Sequence, residues 1–112
     1  RVSIAAGDCV HIPPGTVHSL LAGAVVAEIQ QNADTTYRVY DWGRVGEDGE
    51  PRPLHVERAL DVIDWQRVEP DKVDPEPIAI GDSLKRSLLV SDPKFVVERL
   101  TMEEGATFSG SP

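Results

Sequence analysis

Through much of the first forty residues apolar and polar positions alternate over short stretches, and a period of two predicts strands rather than helices. Val2 to Ala5 and Cys9 to Ile12 read as short strands around a break at Ala6-Gly7-Asp8, and Val17 to Leu21 as a third, ended by Ala22-Gly23. The clearest alternation runs from Ala24 to Gln31, with Val25, Ala27 and Ile29 on one face and Val26, Glu28 and Gln30 on the other. A face that carries polar side chains either meets solvent or lines a wet cavity, and the residues alone favour solvent. After a loop at Asn32-Ala33-Asp34-Thr35, the stretch Thr36 to Asp41 is rich in β-branched and aromatic residues and predicts a further strand. Thr36, Arg38 and Tyr40 would share one of its faces, Tyr37 and Val39 the other.

Then the period changes. Trp42 to Arg52, punctuated by Gly43, Gly46, Gly49 and Pro51, reads as an irregular loop. From Leu54 to Trp65 apolar residues fall at Val56, Leu60 and Ile63, while Glu57, Arg58, Asp61 and Asp64 face away. That spacing predicts a short amphipathic helix, with Pro53 suited to its first turn. Glu69 to Pro77 holds three prolines and four acidic residues, the composition of a linker or an extended crossover. Beyond it Ile78 to Ile80, Ser87 to Ser91 and Phe95 to Met102 read as strands, with a turn at Glu103-Glu104-Gly105. Many short strands and one helix predict an all-β sandwich or barrel, divided near residue 70.

One corner has specific chemistry. In Pro13-Pro14-Gly15-Thr16, Pro14 presets φ and Gly15 can take the positive φ of a type II turn. The turn fixes where His18 points, and an imidazole held on a rigid strand suits a metal. The residues alone leave His18 as either a ligand or a hydrogen-bonded core histidine.

Charge narrows the partners. A net charge of −8 over 112 residues, with no basic stripe, argues against nucleic acid and against anionic membrane surfaces. An anionic substrate would then need locally concentrated positive charge, which gives weight to single arginines. The lone cysteine, Cys9, excludes an internal disulfide framework and fits a reducing, cytoplasmic setting. No apolar run approaches the roughly 20 residues of a membrane-spanning helix. The chain starts at Arg1 within strand-like alternation and stops after Phe108-Ser109-Gly110-Ser111-Pro112 with no closing element. It therefore reads as a piece of a longer protein, and its exposed strand edges are expected to promote self-association.

Gly7, Pro13, Gly15 and His18 stand in the spacing G-x5-P-x-G-x2-H, which resembles the second motif of the cupin superfamily; Ala22 stands where that motif usually has Asn. The run Glu28-Ile29-Gln30-Gln31-Asn32-Ala33-Asp34-Thr35-Thr36-Tyr37-Arg38-Val39-Tyr40-Asp41, and the later Arg52-Pro53-Leu54-His55-Val56-Glu57, resemble class I mannose-6-phosphate isomerases of the bacterial type. The resemblance is close from Gly7 to Trp65 and looser beyond. It implies a cupin-type β-sandwich or jelly-roll portion with one short amphipathic helix, followed by the start of a second small β-domain. Residues 1–68 would be the C-terminal portion of the zinc-bearing domain, 69–77 a linker, and 78–112 the start of the next domain.

The resemblance further implies a zinc-dependent enzyme that interconverts mannose 6-phosphate and fructose 6-phosphate, a small-molecule sugar phosphate being the substrate. His18 would be a Zn2+ ligand, with the family's remaining ligands, a Gln, a His and a Glu, upstream of this chain, so that the isolated piece is expected to be inactive. Arg38 corresponds to an active-site arginine, whose permanently charged guanidinium can bind phosphate or a developing enediolate. Glu28 corresponds to a pocket glutamate that could transfer a proton or hold Arg38 by charge pairing. Gln30 is a weaker candidate for hydroxyl contacts, and Asp34 and Thr35 shape a loop. His11, on the same strand face as Cys9, suggests a Cys-x-His pair only weakly; His55 is expected to face solvent, and Trp42 and Trp65 to pack. Two rival readings remain: a non-catalytic or degenerate sugar-binding cupin, and a metal-dependent cupin of another reaction type.

Overall fold

A computed structural model describes residues 1–67, 69–81 and 83–109. Residue 68, at the expected domain boundary, and residues 110–112, in the terminal stretch, lie outside the described residues. The elements are one helix, α1 (Val56–Val62), and three strands, β1 (Glu76–Ile80), β2 (Leu84–Asp92) and β3 (Phe95–Met102). The strands form one antiparallel sheet in the order β1-β2-β3, so the fold class is all-β with a single short helix. The chain divides into two compact units, Ile12–Val68 and a second that joins Arg1–His11 to Glu69–Pro112.

In the second unit, β2 and β3 pair from Leu84↔Met102 to Asp92↔Phe95, closed by the two-residue loop Pro93-Lys94. The Asp92 carboxylate accepts the Lys94 N–H at 2.9 Å, a side-chain turn that ends the strand. The register shifts between Leu88 and Val90, so an extra residue on β2 re-aims its neighbours. Val90, just past that irregularity, is one of two buried apolar residues among those described; Ala59 of the other unit is the second. Pro77 has no N–H to give, and β1 is the outer strand that tolerates it. Across β2 and β3, Arg86 Nε and Nη2 donate to the Glu98 carboxylate, both at 2.8 Å.

The first eleven residues attach to this unit through a tight turn and one bridge. Asp8 N–H donates to Ala5 O at 3.1 Å, and Ala5 N–H to the Asp8 carboxylate at 2.8 Å. Val10 bridges Lys72 antiparallel, and Val73 N–H donates to Cys9 O at 2.8 Å. Lys72 Nζ lies 3.3 Å from Asp8 Oδ2, and Arg99 donates to Gly7 O. The Ala5 N–H, and then Lys72 and Arg99, hold the Asp8 carboxyl below its ordinary value. His11 sits edge-on to Phe95 and 3.9 Å from Asp92, which gives it a local partner within the sheet unit.

In the unit Ile12–Val68 the Pro-Gly corner forms as its residues predict: Thr16 N–H donates to Pro13 O at 3.3 Å and Gly15 has φ +80°. The strands expected at 2–5, 17–21, 24–31 and 36–41 do not form, and 9–12 contributes only the Val10 bridge. Alternation makes a strand only where another strand takes its backbone N–H and C=O groups, and among the described residues none pairs with these. Val25 is fully exposed, and Val17, Leu20 and Ile29 are also in solvent.

The helix has the expected period but a different inward face. Ala59 is the buried residue, with Ile63 half-buried one turn on, while Val56 and Leu60 are exposed. It also ends at Val62 rather than running to Trp65: Ile63 turns to an extended backbone, and Asp64 N–H donates to Gly15 O at 3.0 Å. The corner thus stops the helix by taking the next free donor. Trp42 and Trp65, expected to pack, are largely exposed; Trp42 meets the Tyr40 ring edge-on at 5.1 Å.

Candidate functional site

The best-built polar arrangement in the unit Ile12–Val68 surrounds Arg38, and a returning loop makes it. Asp41-Trp42-Gly43-Arg44 is a turn closed by Arg44 N–H donating to Asp41 O at 2.9 Å, with φ +57° at Trp42 and +69° at Gly43. Both central residues are left-handed, as a type I′ turn demands. Among the described residues Trp42 is the only non-glycine with positive φ, a backbone state that costs about 1–2 kcal/mol in a bulky residue. Val45 then bridges Pro51, and Gly46 N–H donates to Glu50 O at 2.7 Å. Asp48 supports the tip by accepting the Glu50 N–H at 3.1 Å. What reads in sequence as an irregular loop is a tight return that brings residues 52–55 back to residues 38–41.

Three contacts follow from that return. Arg52 grips Asp41 with a two-pronged fork: Nε donates to Oδ2 at 2.6 Å and Nη2 to Oδ1. Arg38 N–H donates to His55 Nδ1 at 3.2 Å, and His55 N–H donates to Arg38 O at 2.7 Å. The Arg38 guanidinium is tethered at two points, Nη1 donating to Pro53 O at 3.1 Å and Nε lying 3.8 Å from Asp41 Oδ1. Nη2 has no partner among the described residues. A guanidinium fixed on one side with donors left over is a preorganised anion-binding group.

The electrostatics agree with the geometry. The Arg52 hydrogen bonds, and then the charges of Arg52, Arg38 and Arg44, hold the Asp41 carboxyl below its ordinary value, and Asp41 in turn raises Arg52. Asp41 is therefore an anion at neutral pH, as both tethers require. His55 must be neutral at Nδ1 to accept the Arg38 N–H, so its ring proton is on Nε2. Its side chain serves Arg38 instead of capping α1, whose N-cap it occupies without a side-chain hydrogen bond. His55 is half-buried and engaged, contrary to the solvent-facing position its sequence context suggests.

His18 and Glu28 stand apart from this arrangement. Neither shares a hydrogen bond or ion pair with Arg38 among the described residues, and both side chains are exposed. His18 Nδ1 lies 2.9 Å from Thr16 O; a carbonyl only accepts, so Nδ1 carries a proton and Nε2 is the ring nitrogen without a partner among the described residues. That is the orientation in which a metal-bound histidine is commonly held. One ligand is not a metal site, however. Among the described residues no three His, Cys, Asp or Glu side chains cluster to hold an ion, so this donor set does not fit zinc by itself. Gln30 and Asp34 are exposed as well. Asp41 and Arg52 have no assigned role in the sequence reading, and His55 is read there as solvent-facing. The signal for them is the turn chemistry of Gly46, Gly49 and Pro51, which predicts a hairpin return and hence partners on either side of it.

Comparisons with known proteins supply the rest. No family model matches the chain, and no solved structure matches it. The chain is 46% identical over 84 residues to the Bacillus subtilis (strain 168) protein GmuF, named a probable mannose-6-phosphate isomerase, covering 74% of this chain and 26% of that protein. It is 37% identical over 97 residues to the mannose-6-phosphate isomerase of Streptococcus mutans serotype c (strain ATCC 700610 / UA159), covering 87% of this chain and 30% of that protein. A third relative, mannose-6-phosphate isomerase ManA of Bacillus subtilis (strain 168), is 44% identical over 64 residues, 57% of this chain and 20% of its own length. The chain thus spans less than a third of the curated relatives it matches. Over most of its own length, this chain is similar to one portion of bacterial proteins named as mannose-6-phosphate isomerases.

Proposed function

We propose that this chain is part of a mannose-6-phosphate isomerase that interconverts mannose 6-phosphate and fructose 6-phosphate. The observation that carries the reading is the 37–46% identity to proteins named for that activity; the tethered Arg38 supports it. Aldose–ketose isomerisation moves a proton between adjacent carbons through an enediol. It requires a base, an electrostatic partner for the developing oxyanion, and an anchor for the phosphate. Arg38 is suited to either anionic role because its orientation is set before a ligand arrives. Glu28, an exposed carboxylate ten residues upstream, would accept or return the proton or assist in orienting the sugar. Residues 1–68 would belong to the metal-bearing cupin domain, with 69–77 a linker and 78–112 the start of a second β-domain.

Zinc enters this reading through His18, which would donate Nε2 as one ligand while the others come from outside this chain; bound zinc would supply Lewis-acid polarisation of sugar oxygens. The protein is taken to work in the cytoplasm on a free sugar phosphate, without nucleic acid or membrane as partners. Among the described residues no helix is long and apolar enough to cross a membrane.

The test is a coupled assay for fructose 6-phosphate formation on the longer protein and its Arg38→Ala variant, with metal content measured in parallel. Loss of at least 100-fold in turnover, the size expected for removing a charge that stabilises the transition state, supports the assignment. A near-wild-type rate removes Arg38 from the site, and absence of isomerase activity in the wild-type protein overturns the reading. The 112-residue chain alone is expected to give no turnover above background.

A further inference from the structure

We propose that Asp41 is a positioning residue for Arg38, and that Arg52 acts through Asp41 to hold it there. This rests on the role given to Arg38 under Proposed function and goes beyond it, because neither Asp41 nor Arg52 needs to touch the sugar. The geometry is a relay. Arg52 uses two parallel donors on the Asp41 carboxylate, which fixes the plane of that carboxylate as a single contact could not. Oδ1, the oxygen that also takes Arg52 Nη2, is the one that faces Arg38 Nε at 3.8 Å. The Asp41 side chain is only 11% exposed, so water competes weakly for it.

The same return loop ties Arg38 from other directions. The Pro53 carbonyl takes Nη1, and His55 holds both the N–H and the C=O of residue 38. With backbone, Nη1 and Nε all restrained, rotation about the side-chain torsions is restricted and Nη2 is the part of the fork left to face an anion. The left-handed Trp42 next to Asp41 is the counterpart of this rigidity: an unfavourable backbone state persists where surrounding contacts over-determine it. Freedom of a long arginine is otherwise large, and a charge displaced by about 1 Å from the reacting atoms can lower turnover on the order of 100-fold. A residue that only fixes the arginine is thus expected to matter for turnover more than for substrate binding.

The experiment is a double-mutant cycle on the longer protein, with kcat and KM measured for wild type, Asp41→Asn, Arg38→Ala and the double variant, and thermal midpoints taken as a check on folding. Asp41→Asn keeps the shape of the side chain and removes its charge. The expected result is a fall in kcat of tenfold or more with KM within about threefold, and a further fall below twofold when Asp41→Asn is added to Arg38→Ala. Should Asp41→Asn fail to fold, Arg52→Lys takes its place: one point charge replaces the fork, and the same non-additivity with Arg38→Ala is expected. An equal fall in both backgrounds, or no fall in the wild-type background, overturns the positioning role while leaving Arg38 in the site. Undiminished turnover of Arg38→Ala instead overturns the role of Arg38 itself, so the two failures are read from different variants.

Discussion

Replacing Gly15 with alanine tests the physical link between the Pro-Gly corner and the end of the helix. Two penalties are separable there. With φ at +80° an alanine is in a left-handed state, which costs about 1–2 kcal/mol. Its Cβ would also stand 2.8 Å from the Val62 carbonyl oxygen and 3.2 Å from Asp64 N, the first about 0.6 Å inside the 3.4 Å where ordinary contact begins. Both neighbours are backbone, and Asp64 N–H is already donated to Gly15 O at 3.0 Å, so neither can give without loosening the contact that ends α1. Overpacking of this kind adds about 1–3 kcal/mol. Gly43→Ala is the matched control: its φ is +69° and nothing lies within 4 Å of its Cβ, so only the first penalty applies. Urea unfolding followed by tryptophan fluorescence reads both, since Trp65 follows Asp64 directly in the chain. With a slope of about 1–2 kcal/mol/M, Gly15→Ala should lower the midpoint by at least about 0.5 M beyond Gly43→Ala. Equal midpoints for the two variants would falsify the close approach of the helix end to the corner.

Other expectations follow from single contacts. Asp41 has its folded-state carboxyl value held below the ordinary 3.8, so the stability it contributes is complete above about pH 5 and is lost as pH falls through 3.8 toward the lowered value. Acid unfolding of Asp41→Asn, followed by circular dichroism, should therefore be less steep over that range than wild type; parallel curves would refute the pairing. In the longer protein, His18→Ala should remove about one equivalent of zinc, measured by metal analysis; unchanged metal content would show that Nε2 of His18 is not a ligand. Val90→Ala should cost about 2 kcal/mol because it empties a buried position. Val96→Ala on exposed sheet surface should stay within about 0.5 kcal/mol, and comparable losses at the two sites would contradict the inside–outside arrangement of β2 and β3.

Local chemistry was sufficient for the elements that close on themselves. The Pro14-Gly15 corner, the turn at Glu103-Glu104-Gly105 and the strand Phe95–Met102 form as their residues predict, because a turn residue or the strand next in sequence supplies each partner. The helix is legible in its period, but its inward face and its end are not. Ala59 rather than Leu60 is buried, and the donation of Asp64 N–H to Gly15 O stops it short. The end depends on a carbonyl 49 residues away in the chain. From Val17 to Gln31 the alternation is present and strands still do not form, since backbone donors and acceptors are satisfied by a neighbour and not by periodicity.

The same division holds at the candidate site. The residue types that carry chemistry, His18, Glu28 and Arg38, are visible in the sequence through their motif and run, and so is the likeness to an isomerase family. Which charge meets which is not. Asp41, Arg52, Pro53 and His55 assemble on Arg38 only because the Gly46–Gly49 return closes the chain back on residues 38–41. Side-chain identity is a property of the sequence, whereas the orientation of a guanidinium is set by a carboxylate oxygen 3 residues and a carbonyl oxygen 15 residues away in the chain. The tertiary structure alone could place those.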